Sequence, residues 1–424
     1  MSQIIQGPNT YTFARGGASY LPFRSSGFTN AYYALGAYEY DVAHYEGGTS
    51  GPDGVAVWDT MALFLTDKGG VIASDGETVT VTIPAGQKLL VMDDTRSDTE
   101  KWQEYASLVE IPQVAKVVRQ DFWFLPEYVT WVEQGILSKQ TGQTGKNQRE
   151  VLDEKFVLDY MDRIEKLGLP KGKLTLDDGW QEILSPDDWT DGYWKPDAKK
   201  FPDFAGLMAQ ISQRGFVPSL WVGIPSVPTC APIVQERPEL FEPVPKAMRL
   251  NRYYYKPSGA LTEHYKAVLT PLAQMGVRKF KFDFFYGERH VMRASMKCLH
   301  DAVRAIDPTI EIESHHPDPF FSCYLDAFRL NDVHVVPGFD WKGLTLEHIN
   351  LGNNLATDCI LNLDHLGGNT GSVAEEGFLR HCKLFDFVDP DKAQYPVISI
   401  LPDKYSDKAV QTVFDYIDTH TVIK

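Results

Sequence analysis

Apolar and polar residues follow two rhythms along the chain. Up to about residue 118 they alternate at every second position in short stretches separated by Gly-Gly, Asp-Gly and Pro-Ala-Gly breaks. A period of two with this punctuation predicts strands over 55–65, 78–83 and 88–92 and a small β-sandwich. Its expected role is to cover one flank of the larger C-terminal region. From about 119 the pattern becomes strand, loop, helix, repeated. Strands are predicted over 127–133, 173–176, 216–222, 277–286, 310–313, 327–330, 359–363 and 397–401. Helices are predicted over 150–167, 204–214, 263–275, 291–306 and 407–420, with Asp307-Pro308 ending the helix before it. Eight such units in roughly 300 residues call for a (β/α)8 barrel. A doubly wound sheet would place a Gly-x-Gly-x-x-Gly turn after an early strand, and the sequence contains none. The expected architecture is therefore α/β: a β-sandwich-like domain over 1–118 and a barrel over 119–424.

The stretch 277–286, Val-Arg-Lys-Phe-Lys-Phe-Asp-Phe-Phe-Tyr, carries the first chemical signal. Phe280, Phe282 and Phe284 fall on one pleat face, so Lys281 and Asp283 project together from the other. Barrel chemistry gathers at the C-terminal strand ends. Reading those ends in order gives Trp131 and Glu133; Asp177, Asp178 and Trp180; Trp221; Lys281 and Asp283; Glu313, His315 and His316; Arg329, Asn331 and Asp332; and Asp364 with His365. Each has an ordinary structural explanation: Asp178 as a helix cap, His316 as a satisfied neutral imidazole, Trp221 as core. Together they describe a pocket for a polyhydroxylated ligand, because carboxylates grip hydroxyl pairs and indoles stack on sugar faces.

Charge narrows the partners. A formal net charge of -16 opposes nucleic acid and anionic membrane as ligands. The five cysteines are widely spaced with no Cys-x-x-Cys pair, which disfavours a disulfide framework and a zinc knuckle and fits a reducing compartment. The N-terminus lacks the basic and apolar regions of a signal peptide, and no apolar run reaches the roughly 18 residues needed to span a bilayer. A cytoplasmic protein is expected.

Asp283 and Asp332 suit glycosidic bond cleavage. One carboxylate attacks or supports the anomeric carbon while the other protonates the leaving oxygen; a gap of about 5 Å between them implies retention of configuration and a larger gap inversion. Lys281, two residues before Asp283 on the same face, would keep it ionised, and Arg329 would hold a ring hydroxyl beside Asp332. A metal site built from Asp177, Asp178, Glu313, His315, His316 and His365 is the rival. It lacks the His-x-His expected on the first strand.

In chain order, Leu-Asp177-Asp178-Gly179-Trp180-Gln181, Lys199-Lys200-Phe201-Pro202-Asp203, Leu220-Trp221-Val222, Lys279-Phe280-Lys281-Phe282-Asp283 and Arg329-Leu330-Asn331-Asp332 resemble the α-galactosidase clan of glycoside hydrolases. Family 36 is nearest, with families 27 and 31 more distant, and the resemblance runs from about Trp123 to the C-terminus. It implies a retaining α-glycosidase without metal or organic cofactor, acting on a small α-glycoside or oligosaccharide. Asp283 would be the nucleophile and Asp332 the acid/base. Asp177 and Asp178 would bind hydroxyls at the far side of the ring, with Trp180 and Trp221 as walls and Lys281 and Arg329 on further hydroxyls; Trp131, Glu313, His315, Asp364 and His365 complete the expected substrate set. Glu313-Ser-His-His-Pro replaces the family's Cys- and Gly-rich run, and Gly223-Ile-Pro225 its Glu-Pro-Glu. The N-terminal β-region is short against the family's pattern and the sequence ends with the last barrel helix, where the family carries a C-terminal β-domain; a homo-oligomer covering apolar barrel surface is the expectation. Asp-Asp-Gly-Trp-Gln also looks like raffinose-synthase-like members, which transfer galactosyl groups. Hydrolysis, transfer and a silent sugar-binding barrel thus remain the functional alternatives.

Overall fold

The computed structural model describes residues 1–14, 19–20, 54–57, 60–75, 77–140, 148–184, 190–243, 246–247, 251–285, 289–330, 341–366, 375, 379, 382–398 and 405–420. Eight parallel strands close a barrel in sequence order: Glu127–Val129, Lys173–Leu176, Val217–Gly223, Lys279–Asp283, Glu311–Ser314, Ala327–Arg329, Ile360–Leu366 and Gln394–Ile398. The eighth strand closes on the first at Val397↔Glu127 and Ile398↔Tyr128. Strand alternation separates two environments. Leu174, Leu176, Leu220, Val222, Phe280, Phe282 and Ile312 join the apolar core with the surrounding helices. The intervening side chains meet inside the ring, where Lys173 pairs with Glu311, Lys279 with Glu313, and Thr175 with Glu127 and Ser219. The barrel is thus apolar outside and charged within.

Helices form where periodicity and caps agree. Asp153 accepts from the Phe156 amide at 2.8 Å and starts Glu154–Lys166, which buries Val157, Tyr160, Met161 and Ile164. This cap divides the helix expected over 150–167, leaving the short turn Gln148–Val151 in front. The final helix is Asp407–His420, as its pattern predicts. Among the described residues no helix is long and apolar enough to cross a membrane.

The N-terminal region forms two antiparallel sheets, one of five strands and one of three. The run expected as a single strand over 55–65 is a hairpin, Gly54–Val57 paired with Thr60–Phe64. Ala62, Phe64, Leu89 and Val91 pack on Phe13, Ile72, Val79, Val81 and Ile83 between the sheets. From the opposite face Met61, Leu63, Leu90 and Met92 meet Trp102 and Tyr105 together with Phe320, Leu351 and Leu355 of the barrel. Burial on both faces explains why Thr60–Phe64 reads as a continuous apolar run.

Candidate active site

Asp283 ends the fourth barrel strand, and among the described residues four groups surround its carboxylate. Trp221 Nε1 donates to Oδ2 at 3.1 Å, and the Phe284 amide donates to Oδ1 at 2.9 Å. The guanidinium of Arg329 lies 3.4 Å from both oxygens, and His315 Nε2 lies 3.0 Å from Oδ1. Burial pushes the carboxyl up, but Arg329, then His315, then Lys281 outweigh it and hold Asp283 well below the usual carboxylate range. The backbone contributes too. Phe284 adopts φ +64°, so the chain leaves the strand directly after Asp283 and Phe284 turns its ring edge-on to Trp221 at 5.5 Å. Phe280 and Phe282 stay stacked at 5.7 Å on the outer face, and Phe284, expected with them, does not.

The Asp177-Asp178-Gly-Trp180 segment follows strand two. Asp177 Oδ2 accepts from Lys281 Nζ at 2.8 Å, so Lys281 is paired with Asp177 and acts on Asp283 from farther away. Asp178 accepts from Arg149 Nε and Gln181 Nε2, each at 2.7 Å. Burial pushes the Asp178 carboxyl up to about 6 against the pull of Arg149 and Gln181. Asp283 keeps 16% of its side chain exposed against 5% for Asp177 and 4% for Asp178, so it is the most accessible carboxylate of the three. Gly179 has φ +126°, and a Cβ there would lie 2.7 Å from the Arg149 carbonyl oxygen. Trp180, expected as a pocket wall, is fully buried: it donates to the Trp221 carbonyl at 2.8 Å and stacks on Phe204 at 5.7 Å. It supports Trp221 from behind.

Other expected residues are placed differently. Strand one ends at Val129, and Trp131 and Glu133 belong to the helix Trp131–Gln140. Trp131 packs partly buried on the cluster of Val129, Tyr395 and Val397. Glu133 accepts from Tyr160 at 3.1 Å in the interior. Glu313 is deeper in the barrel, where Oε2 accepts from Lys279, Tyr395 and Asn362. His316 sits beside His315, ring centroids 4.7 Å apart, with Nε2 3.2 Å from the Phe285 carbonyl oxygen. The backbone of Asp364 and His365 continues strand seven. Asn331 and Asp332 lie outside the described residues; strand six pairing continues to Leu330, whose amide donates to the Asn362 carbonyl at 2.9 Å.

Arg149 and Tyr395 are partners the sequence reading did not identify. Arg149 carries no local signal, being 29 residues from Asp178. The interior charges did have one: Lys279-x-Lys281-x-Asp283 and Glu311-x-Glu313-x-His315 repeat polar groups with period two on adjacent strands.

No protein-family model and no curated protein matches the sequence. Solved structures do match. An α-galactosidase from Thermus thermophilus in complex with p-nitrophenyl α-D-galactopyranoside aligns with a TM-score of 0.59 at 14% identity, over 96% of this chain and 81% of that one. A variant of a family 36 α-galactosidase from Geobacillus stearothermophilus, in complex with 1-deoxygalactonojirimycin, aligns with a TM-score of 0.56 at 13% identity. That alignment covers 99% of this chain and 62% of the other, so the chain spans under two thirds of that enzyme. The galactosidase domain of an α-galactosidase-sucrose kinase gives 0.56 at 10% identity, over 98% and 57% of the two chains. The eight-stranded barrel and its β-domain are thus the fold of the family 36 α-galactosidases.

Proposed function

We propose that the chain is a retaining α-glycosidase of α-galactosidase type, cleaving a terminal α-linked sugar by double displacement. The observation that carries this reading is the environment of Asp283: donors on both oxygens and a guanidinium across them. A carboxylate so held is ionised and aimed. It suits attack on an anomeric carbon and is too weak a base to carry the proton of a general acid, which needs a raised pKa. Asp283 is therefore the nucleophile. Asp332, three residues after Arg329, takes the acid/base role: it protonates the leaving oxygen, then deprotonates the water that releases the sugar. Trp221 and His315, both buried, hold the Asp283 carboxylate in place from behind instead of lining the sugar as walls; Asp364 and His365 extend the hydroxyl-binding set. A small α-galactoside or oligosaccharide is the substrate class, in line with the stachyose bound to the Thermus thermophilus enzyme.

The test is the configuration of the first product. Proton NMR during turnover of an aryl α-galactoside should show the α-anomer before mutarotation, and Asp283→Asn should slow turnover at least about 10³-fold. First release of the β-anomer would contradict the retaining mechanism. Release to an added sugar acceptor in place of water would reassign the same chemistry to transfer.

A further inference from the structure

Beneath the proposed nucleophile the barrel interior carries a buried charged layer. Lys279 Nζ lies 2.6 Å from Glu127 Oε2 and 2.5 Å from Glu313 Oε2. Tyr395 donates to the same Glu313 oxygen at 2.6 Å and Asn362 at 2.8 Å. The side chains of Lys279, Glu127 and Glu313 are fully buried. Barrels ordinarily fill such layers with branched apolar side chains. Buried ion pairs add little net stability over well-packed apolar groups, but they fix geometry.

Two features give this layer a direction. It holds two carboxylates to one ammonium, so it has a formal excess of one negative charge. The three donors to Glu313 also converge on Oε2, while Oε1 accepts no hydrogen bond among the described residues and faces Arg329 Nε at 4.0 Å. Among the described residues two cations stand above the excess charge: Lys281, which is ion-paired with Asp177, and Arg329, which also reaches Asp283 at 3.4 Å. Its guanidinium spans Glu313 on one side and both oxygens of Asp283 on the other. Burial pushes Glu313 up, but Lys279, Lys281 and Tyr395 bring it down to about 2, so the group facing Arg329 is charged.

We infer that Glu313, clamped by Lys279, Tyr395 and Asn362, is a positioning residue that holds Arg329 in the orientation that aims Asp283. This rests on the glycosidase reading for its catalytic consequence, though not for its structural one. A residue with a purely packing role would lower stability without separating kcat from KM.

The experiment follows the Arg329 Nε–H resonance by 1H–15N NMR, assigned by its loss in Arg329→Lys, alongside steady-state kinetics on an aryl α-galactoside. In Glu313→Gln the resonance should shift and its exchange with solvent rise about tenfold. kcat should fall about 30- to 100-fold with KM within about threefold, as expected for a misplaced nucleophile. Tyr395→Phe removes one donor to Glu313 without changing any charge, and should give the same pattern in weaker form even where Glu313→Gln fails to fold. An unchanged Arg329 resonance with kcat within about twofold in folded variants would overturn the inference. An Arg329 resonance that responds to Glu313 in a protein with no glycosidase turnover would leave the positioning intact and refute the glycosidase reading instead.

Discussion

At Asp283 burial works against ionisation, and Arg329, His315 and Lys281 decide the outcome in favour of the charge. Removing one of them should therefore raise the pKa of Asp283. For His315→Ala the acid limb of kcat/KM should move to higher pH, with a loss of about 10- to 100-fold at the optimum, read from a pH–rate profile. A limb that stays in place would separate His315 from Asp283. Asp283, Lys281 and Arg329 were legible as members of the site because strand alternation and barrel topology bring them to one mouth. Their pairing was not. Lys281 goes to Asp177 and Arg329 to Asp283, a choice fixed by side-chain reach across the ring.

Elements carry the site through close approaches that leave no room for a side chain. Gly223 ends strand three where an added Cβ would sit 2.7 Å from Trp221 Cη2 and 2.8 Å from Phe284 Cδ2. Gly223→Ala should push Trp221 Nε1 away from Asp283, lowering kcat/KM about tenfold or more while costing about 1–3 kcal/mol in urea unfolding. Full activity would show that the two rings adapt. The strands at 173–176 and 78–83 and the last helix at 407–420 coincide with their predicted limits because period and boundary signals agree there. Strand one was overextended because the apolar run 128–132 continues into the helix Trp131–Gln140, and periodicity cannot separate a short strand from a helical first turn. The helix Asp98–Leu108 was missed although Ser97 and Glu100 form a capping box, a signal present in the sequence.

Across the whole molecule, buried carboxyls and buried histidines pull the pH dependence of stability in opposite directions. Burial pushes Glu311 up to about 7 and Asp178 up to about 6, both against nearby cations. Between those values and the lower ones of the unfolded chain, the folded state binds more protons, so these groups make the protein more stable as pH falls from 8 toward 5. Asp283 and Glu313 are shifted downward; their contribution is present above the unfolded pKa and is lost as pH falls through the folded value. Glu311 and Asp178 should make urea unfolding harder at pH 5.5 than at pH 8, against buried His264, whose value lowered to about 4 works the other way as pH falls through its unfolded value. Glu311→Gln should flatten that slope by on the order of 1 kcal/mol, and an unchanged slope would remove Glu311 from the account. The sandwich and barrel should unfold together, because Trp102 is fully buried among Met61, Leu63, Phe320 and Leu355. Trp102→Ala should lower stability by about 3–5 kcal/mol in a single transition followed by circular dichroism. The apolar face of the five-stranded sheet was foreseeable as a cover for the barrel; the helix lying between them was not, since its contact with Phe320 joins residues over 200 positions apart.

Covalent trapping of Asp283 tests the glycosidase reading most directly. After incubation with an activated 2-deoxy-2-fluoro-α-galactosyl substrate, mass spectrometry of the digested protein should find one sugar on the peptide containing Asp283 and none on Asp283→Asn. A sugar attached to another carboxylate in a protein that turns over α-galactosides would contradict the assignment of the nucleophile.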